Sequence, residues 1–153
     1  MSKASSGIIT VLALGALAGA SARVSPAQTP LTGPRFQAEM RKLWEDHITW
    51  TRLYIVAAAA NLPEKDATAE RLLRNQTDIG NAIRPFYGPQ AGESLSGLLN
   101  GHIVIATQII EAAMKGEQPR QEDAARRWGV NADSIAALLN GANAENWPLA
   151  EMK

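Results

Sequence analysis

Leu43-Trp44-Glu45-Asp46-His47-Ile48 and, 55 residues further on, Leu98-Leu99-Asn100-Gly101-His102-Ile103 decide the fold. Leu, His and Ile recur at the same spacing, and His47 and His102 are the only histidines in 153 residues. Extended outward without gaps, residues 34–84 and 89–139 also agree at Pro34/Pro89, Ile55/Ile110, Ala57/Ala112 and Ala58/Ala113. With Ala69/Ala124, Arg71/Arg126, Asp78/Asp133 and Ala82/Ala137 the total is 11 identities in 51 positions. Alanine-rich helices match by chance, so the coincidence of the two histidines weighs more than the count. One unit is used twice.

The unit is helical. From Pro34, the apolar side of the first helix runs Phe36, Met40, Leu43, His47, Trp50, Tyr54, Ala57, alternating steps of four and three along one face. Trp44, Ile48, Thr51 and Ile55 form a second stripe beside it, and Asn61-Leu62-Pro63 ends the helix. The second helix runs from an N-cap at Asp66 to Arg84, with the seam Leu72, Gln76, Ile79, Ile83, and stops at Pro85. Pro85-Phe86-Tyr87-Gly88-Pro89 reads as a turn. The third helix runs from Pro89 to Lys115 and closes on Gly116; its seam is Leu95, Leu98 or Leu99, His102, Ile105, Ile109, Ala112. The fourth runs from about Gln121 to Asn140, with seam Ala124, Trp128, Asn131, Ile135, Leu138 and Gly141 as its stop. No stretch has the alternation of a strand. The pattern predicts an all-α fold: an antiparallel up-down-up-down four-helix bundle over 34–142, made of two repeated helical hairpins. Residues 143–153 read as a C-terminal tail with Trp147 docked.

The ends of the chain bear on where it works. Lys3, an apolar run from Ile8 to Ala20, and Ala20-Ser21-Ala22 read as a signal peptide over 1–22, which predicts export, periplasmic or secreted. If that leader is not cleaved, it becomes a membrane anchor. Residues 23–33 read as a flexible linker. Cleavage after Ala22 leaves 131 residues with 14 basic and 15 acidic side chains. That length supports a hydrophobic core, and the balanced charge argues against a nucleic-acid partner, which needs clustered cations. The absence of Cys removes disulfides, thiolate metal sites and thiol catalysis.

The repeat also predicts where a site would sit. His47 lies 14 residues before the turn at Asn61 and Gln76 lies 15 after it; His102 and Asn131 stand in the same relation to Gly116. At about 1.5 Å per residue, all four fall at one level of the bundle. Two readings fit this polar layer. In one, the four side chains satisfy each other and fix helix register. In the other, His47 and His102 bind one divalent transition-metal ion, with Gln76 and Asn131 as further ligand-binding groups. Amides are poor ligands, so Asp78 and Asp133 are the symmetric candidates to complete a metal site. Both lie far from their seams. They reach the core only if helices break near Asn75 and between Gly129 and Asn131; otherwise they are first-turn acids or solvated charges.

Other chemistry is not written in the chain. A di-iron bundle needs Glu-x-x-His on two helices, whereas Trp44 and Leu99 stand three residues before the histidines. Glu45 has only Asn100 as its counterpart. There is no Ser-His-Asp spacing, phosphate loop or His-Glu-x-x-His. Leu43-Trp44-Glu45-Asp46-His47-Ile48-Thr49-Trp50-Thr51-Arg52, Arg71 to Ile83 and Pro85-Phe86-Tyr87-Gly88 resemble a family of small uncharacterised all-helical bacterial proteins, some labelled glycosyltransferase or acetylglutamate kinase. The resemblance spans about residues 36–140. It implies the helical fold and no established activity, and no nucleotide-binding strand-loop-helix is present to support the enzyme labels. The expected function is a non-enzymatic binding or sensing module. A structural or protein-interaction bundle with an internally satisfied core layer is the alternative, and a mononuclear metal enzyme the third.

Overall fold

The structure, a computed structural model, describes residues 33–152. The leader and the linker up to residue 32 lie outside the described residues. The protein is all-α, and no strand occurs among the described residues. Its helices are α1 (Gly33–Ala59), α2 (Lys65–Lys115), α3 (Gln118–Ala142) and the short α4 (Leu149–Met152).

α1 buries Tyr54 and Ala57 from its first stripe, and Ala58 beside them. The second stripe is left uncovered, with Trp44 43%, Ile48 67% and Ile55 45% exposed. After Ala59 the chain reverses through Asn61, whose φ of 51° lies in the left-handed region that Asn tolerates better than most residues. Leu62 N–H and Asn61 N–H take the Ala57 and Ala58 carbonyls at 2.8 and 3.1 Å. Asp66 does not cap the next helix. Glu64 holds that position without a side-chain bond, and Asp66 sits in the first turn.

Pro85 does not end the second helix as its type suggests. α2 continues through it, and the break falls at Gly88, with φ 86° and ψ 165°. That conformation is essentially restricted to glycine. Pro89 then opens the following limb, where a missing N–H costs nothing. Gly88 thus divides α2 into limbs 65–87 and 89–115, which lie along each other. A Cβ on Gly80 would strike Ser96 Oγ and Gly92 O, and one on Gly92 would strike Arg84 Cγ. Ser96 Oγ and Asn100 Nδ2 reach Thr77 O and Oγ1, each at 3.5 Å. Two small residues therefore let the limbs close on each other.

Gly116, at φ 69°, ends α2 in the left-handed cap that the sequence predicts. α3 starts at Gln118 and has Pro119 in its first turn. It runs unbroken to Ala142, where Asn143 N–H caps Leu139 O at 2.9 Å. The core forms two clusters. Tyr54, Ala58, Leu72 and Ile103 make one, backed by Trp50, Leu73 and Ile110. Ile79, Leu95 and Leu99 make the other, backed by Met40 and Leu43 from α1 and Ile135 and Leu138 from α3. α1 and α3 both pack on α2, and their backbones do not approach each other. Among the described helices, α2 alone holds an 18-residue window long and apolar enough to cross a membrane, with a mean hydropathy of 1.2 and 17% of its residues buried. Its Leu72, Ile79, Leu95, Leu99 and Ile103 are buried against other helices of this chain.

Candidate functional site

The polar residues singled out by the repeat form two clamps. His47 Nδ1 lies 3.0 Å from Gln76 Nε2, and His102 Nδ1 lies 2.8 Å from Asn131 Oδ1. Each amide, or its neighbour, also ties to the facing helix. Asn131 Nδ2 donates to Leu98 O at 3.1 Å. In the first copy that task falls to Asn75, whose Nδ2 donates to Leu43 O at 3.0 Å. One Asn serves both purposes in the second copy, where the first uses an Asn-Gln pair.

Asn131 gives its N–H to a backbone carbonyl, so its oxygen faces His102, whose Nδ1–H donates. Gln76 Nε2 also lies 2.9 Å from Leu72 O and 3.1 Å from Asn75 Oδ1, so its two hydrogens are shared among three neighbours, His47 Nδ1 among them. Gln76 Oε1 is left buried without a partner, in a residue that is 0% exposed. Burial pushes the His47 imidazole below its ordinary value, and repulsion from His102 adds to the shift.

A tryptophan flanks each ring. Trp44 meets His47 edge-on at 5.3 Å, and Trp128 stacks on His102 at 4.4 Å while donating to His102 O at 3.1 Å. Two charges near His47 are paired away from it. Asp46 pairs with Lys42 at 3.3 Å and Arg71 at 3.8 Å, and Arg71 lies 5.3 Å over the Trp50 ring.

The carboxylates are not brought in. α2 and α3 run unbroken past Asn75 and past Gly129 to Asn131, so the condition for turning Asp78 and Asp133 inward is not met. Both are exposed. No group of three or more His, Asp or Glu able to hold a metal occurs among the described residues. A metal-bound histidine normally donates its other ring N–H to an acceptor. Each histidine is tied to an amide through Nδ1, and no carboxylate joins the pair among the described residues.

Helical periodicity does not reveal what lies beside the layer. A cleft of about 490 Å³ opens between α1 and α3, over the core cluster of Ile79, Leu95 and Leu99. α1 contributes Phe36, Gln37, Met40 and Trp44, and α3 contributes Ile135, Leu138, Leu139 and Ala142. Ile79, Ile83 and Tyr87 line it from the first limb of α2, and Ala91, Leu95 and Leu99 from the second. Trp147 forms the remaining wall. The tail brings it there by hydrogen bonds from Asn140 Nδ2 to Trp147 O at 2.8 Å and from Trp147 N–H to Asn143 O at 3.0 Å. No charged side chain lines the cleft. Trp44 belongs to both regions, with one edge toward His47 and the rest in the cleft.

The chain matches no protein-family model, no curated protein and no solved structure.

Proposed function

We propose that this protein is a non-enzymatic binding module. A small apolar ligand occupies the cleft between α1 and α3, and the histidine clamps hold the helices in register beside it. The cleft is the observation that carries this reading. Its volume of about 490 Å³ falls in the range of small-molecule sites, roughly 300–1,000 Å³, and its lining is apolar and aromatic as such sites require. The layer itself supports a structural role, because both histidines are engaged and both copies bond to a facing backbone. In this reading the helices form an antiparallel up-down-up-down bundle of two hairpins. Supporting that, the His47–Gln76 and His102–Asn131 bonds each span 29 residues and stand 55 apart. The apolar run 8–20 with its small-residue site supports work outside the cytoplasm, and the family resemblance adds no activity.

The test is saturable binding of N-phenyl-1-naphthylamine, an uncharged probe that brightens in apolar surroundings. A ligand of this size is expected to bind with Kd on the order of 1–100 µM. Ala91→Phe, which fills the cleft, should weaken binding at least tenfold while leaving the helical circular dichroism intact. Absence of saturable binding by the native chain would contradict the reading.

A further inference from the structure

We infer that the ligand is a single-chain anionic amphiphile, with its hydrocarbon chain in the cleft and its carboxylate at Arg41 on the rim. The inference rests on the binding reading above and names the ligand class. Volume sets the chain. At about 30 Å³ per water-sized group, the 490 Å³ cleft holds roughly sixteen non-hydrogen atoms. Chemistry sets where the head goes. With no charged lining group, a carboxylate carried inside would lose hydration without compensation, so it must stay at the mouth.

The mouth is not neutral. Gln37 lines the apolar cleft and also a shallow polar depression with Pro34, Ala38, Arg41, Lys42 and Glu45. Lys42 is held by Asp46 at 3.3 Å. Glu45, the one carboxylate there, stands a turn further along α1. Arg41 forms no ion pair among the described residues. Its counterpart at the 55-residue offset is Ser96, which reaches across to the other limb of α2. Arg41 stands one turn after Gln37 on α1, and Gln37 lines both the depression and the cleft, so a head group leaving the cleft past Gln37 comes within reach of Arg41. A guanidinium binds a carboxylate by paired hydrogen bonds.

The experiment is displacement of N-phenyl-1-naphthylamine by palmitate and by hexadecanol, which differ only in the head. Native protein, Arg41→Ala, Arg41→Lys and Ala91→Phe are compared. Palmitate should displace the probe with one chain per protein and bind about three- to fivefold tighter than hexadecanol, the size of one exposed ion pair. Added salt should shrink that ratio. Arg41→Ala should bring the ratio toward one, Arg41→Lys should retain part of it, and Ala91→Phe should abolish displacement by both ligands. Equal affinity for the two ligands, or an unchanged ratio in Arg41→Ala, overturns this inference and leaves the apolar cleft as a site for neutral ligands. A native chain that binds no probe overturns both readings. A stable dimer that palmitate does not dissociate, with no displacement, assigns the cleft to a second copy and overturns both as well.

Discussion

The contact between the two limbs of α2 and the gap between α1 and α3 are the same place in the repeat, filled differently. Between the limbs, Gly80 lies against Gly92 and Ser96 with no room for a Cβ. Adding 55 to Gly80 gives Ile135; subtracting 55 from Gly92 and Ser96 gives Gln37 and Arg41. Ile135 and Gln37 line the cleft, Arg41 lies with Gln37 in the neighbouring depression, and the backbones of α1 and α3 do not meet. Where the residues are small the helices close, and where their counterparts at the 55-residue offset are larger a cleft stands open.

The strongest way to break that comparison is to enlarge the closed contact. Gly80→Ile, which copies Ile135 into it, should cost about 3 kcal/mol or more in urea unfolding, and Gly80→Ala about 1–3 kcal/mol. Gly129 has open space around its missing Cβ, so Gly129→Ala should instead gain up to about 1 kcal/mol of helix propensity. Equal tolerance of alanine at both glycines would remove the explanation for why only one interface closes.

The two clamps come next. Gln76 is 0% exposed, and its loss removes the amide that lies between His47 Nδ1, Asn75 Oδ1 and Leu72 O. Gln76→Ala should destabilise by about 2–4 kcal/mol, combining a cavity with orphaned polar groups. Asn131 is only half-buried, and Asn131→Ala should cost about 1–2 kcal/mol by the same reasoning. The reverse order in thermal or urea unfolding would show that the second copy holds the fold.

Burial of His47 gives a smaller, pH-dependent effect. His47 titrates below its ordinary 6.5 in the folded chain, chiefly because of burial. The unfolded chain then binds more protons in that window. Stability should be full above about pH 6.5 and fall as the pH drops from there toward the folded value. His47→Leu should flatten the fall. His102→Leu should move His47 back toward its ordinary value, read from the His47 ring proton by NMR. Smallest is the response to metal: with no cluster of three His, Asp or Glu ligands among the described residues, Zn²⁺ should leave the melting temperature within about 1 °C. A large rise lost in both histidine variants would restore the metal-site reading.

What could be read in advance follows from range. The helices, the Gly116 stop and the pairing of polar seam residues came from periodicity and offset, which are local or arithmetic properties. Pro85 was misleading because proline only weakens a helix locally, while the unusual φ and ψ at Gly88 require glycine. Asn75 looked like a helix break; instead its side chain crosses to Leu43 O, a contact 32 residues away. The second stripe of Trp44, Ile48 and Ile55 is apolar and yet exposed, because no periodicity says which face a partner helix will cover. The cleft was missed for the related reason that it depends on a distance between helices. Its trace was nonetheless in the sequence, as Gly80 and Gly92 facing Ile135 and Gln37 across the offset.

The most direct test is where an uncharged ligand binds. Methyl NMR of isoleucine and leucine side chains, during titration with N-phenyl-1-naphthylamine, reads both apolar regions together. The expected result is saturable shifts at Ile79, Ile83, Leu95, Leu99, Ile135 and Leu138, with Ile48 and Ile55 on the exposed face of α1 unmoved. Shifts confined to Ile48 and Ile55, or none at all, would contradict the cleft as the binding site.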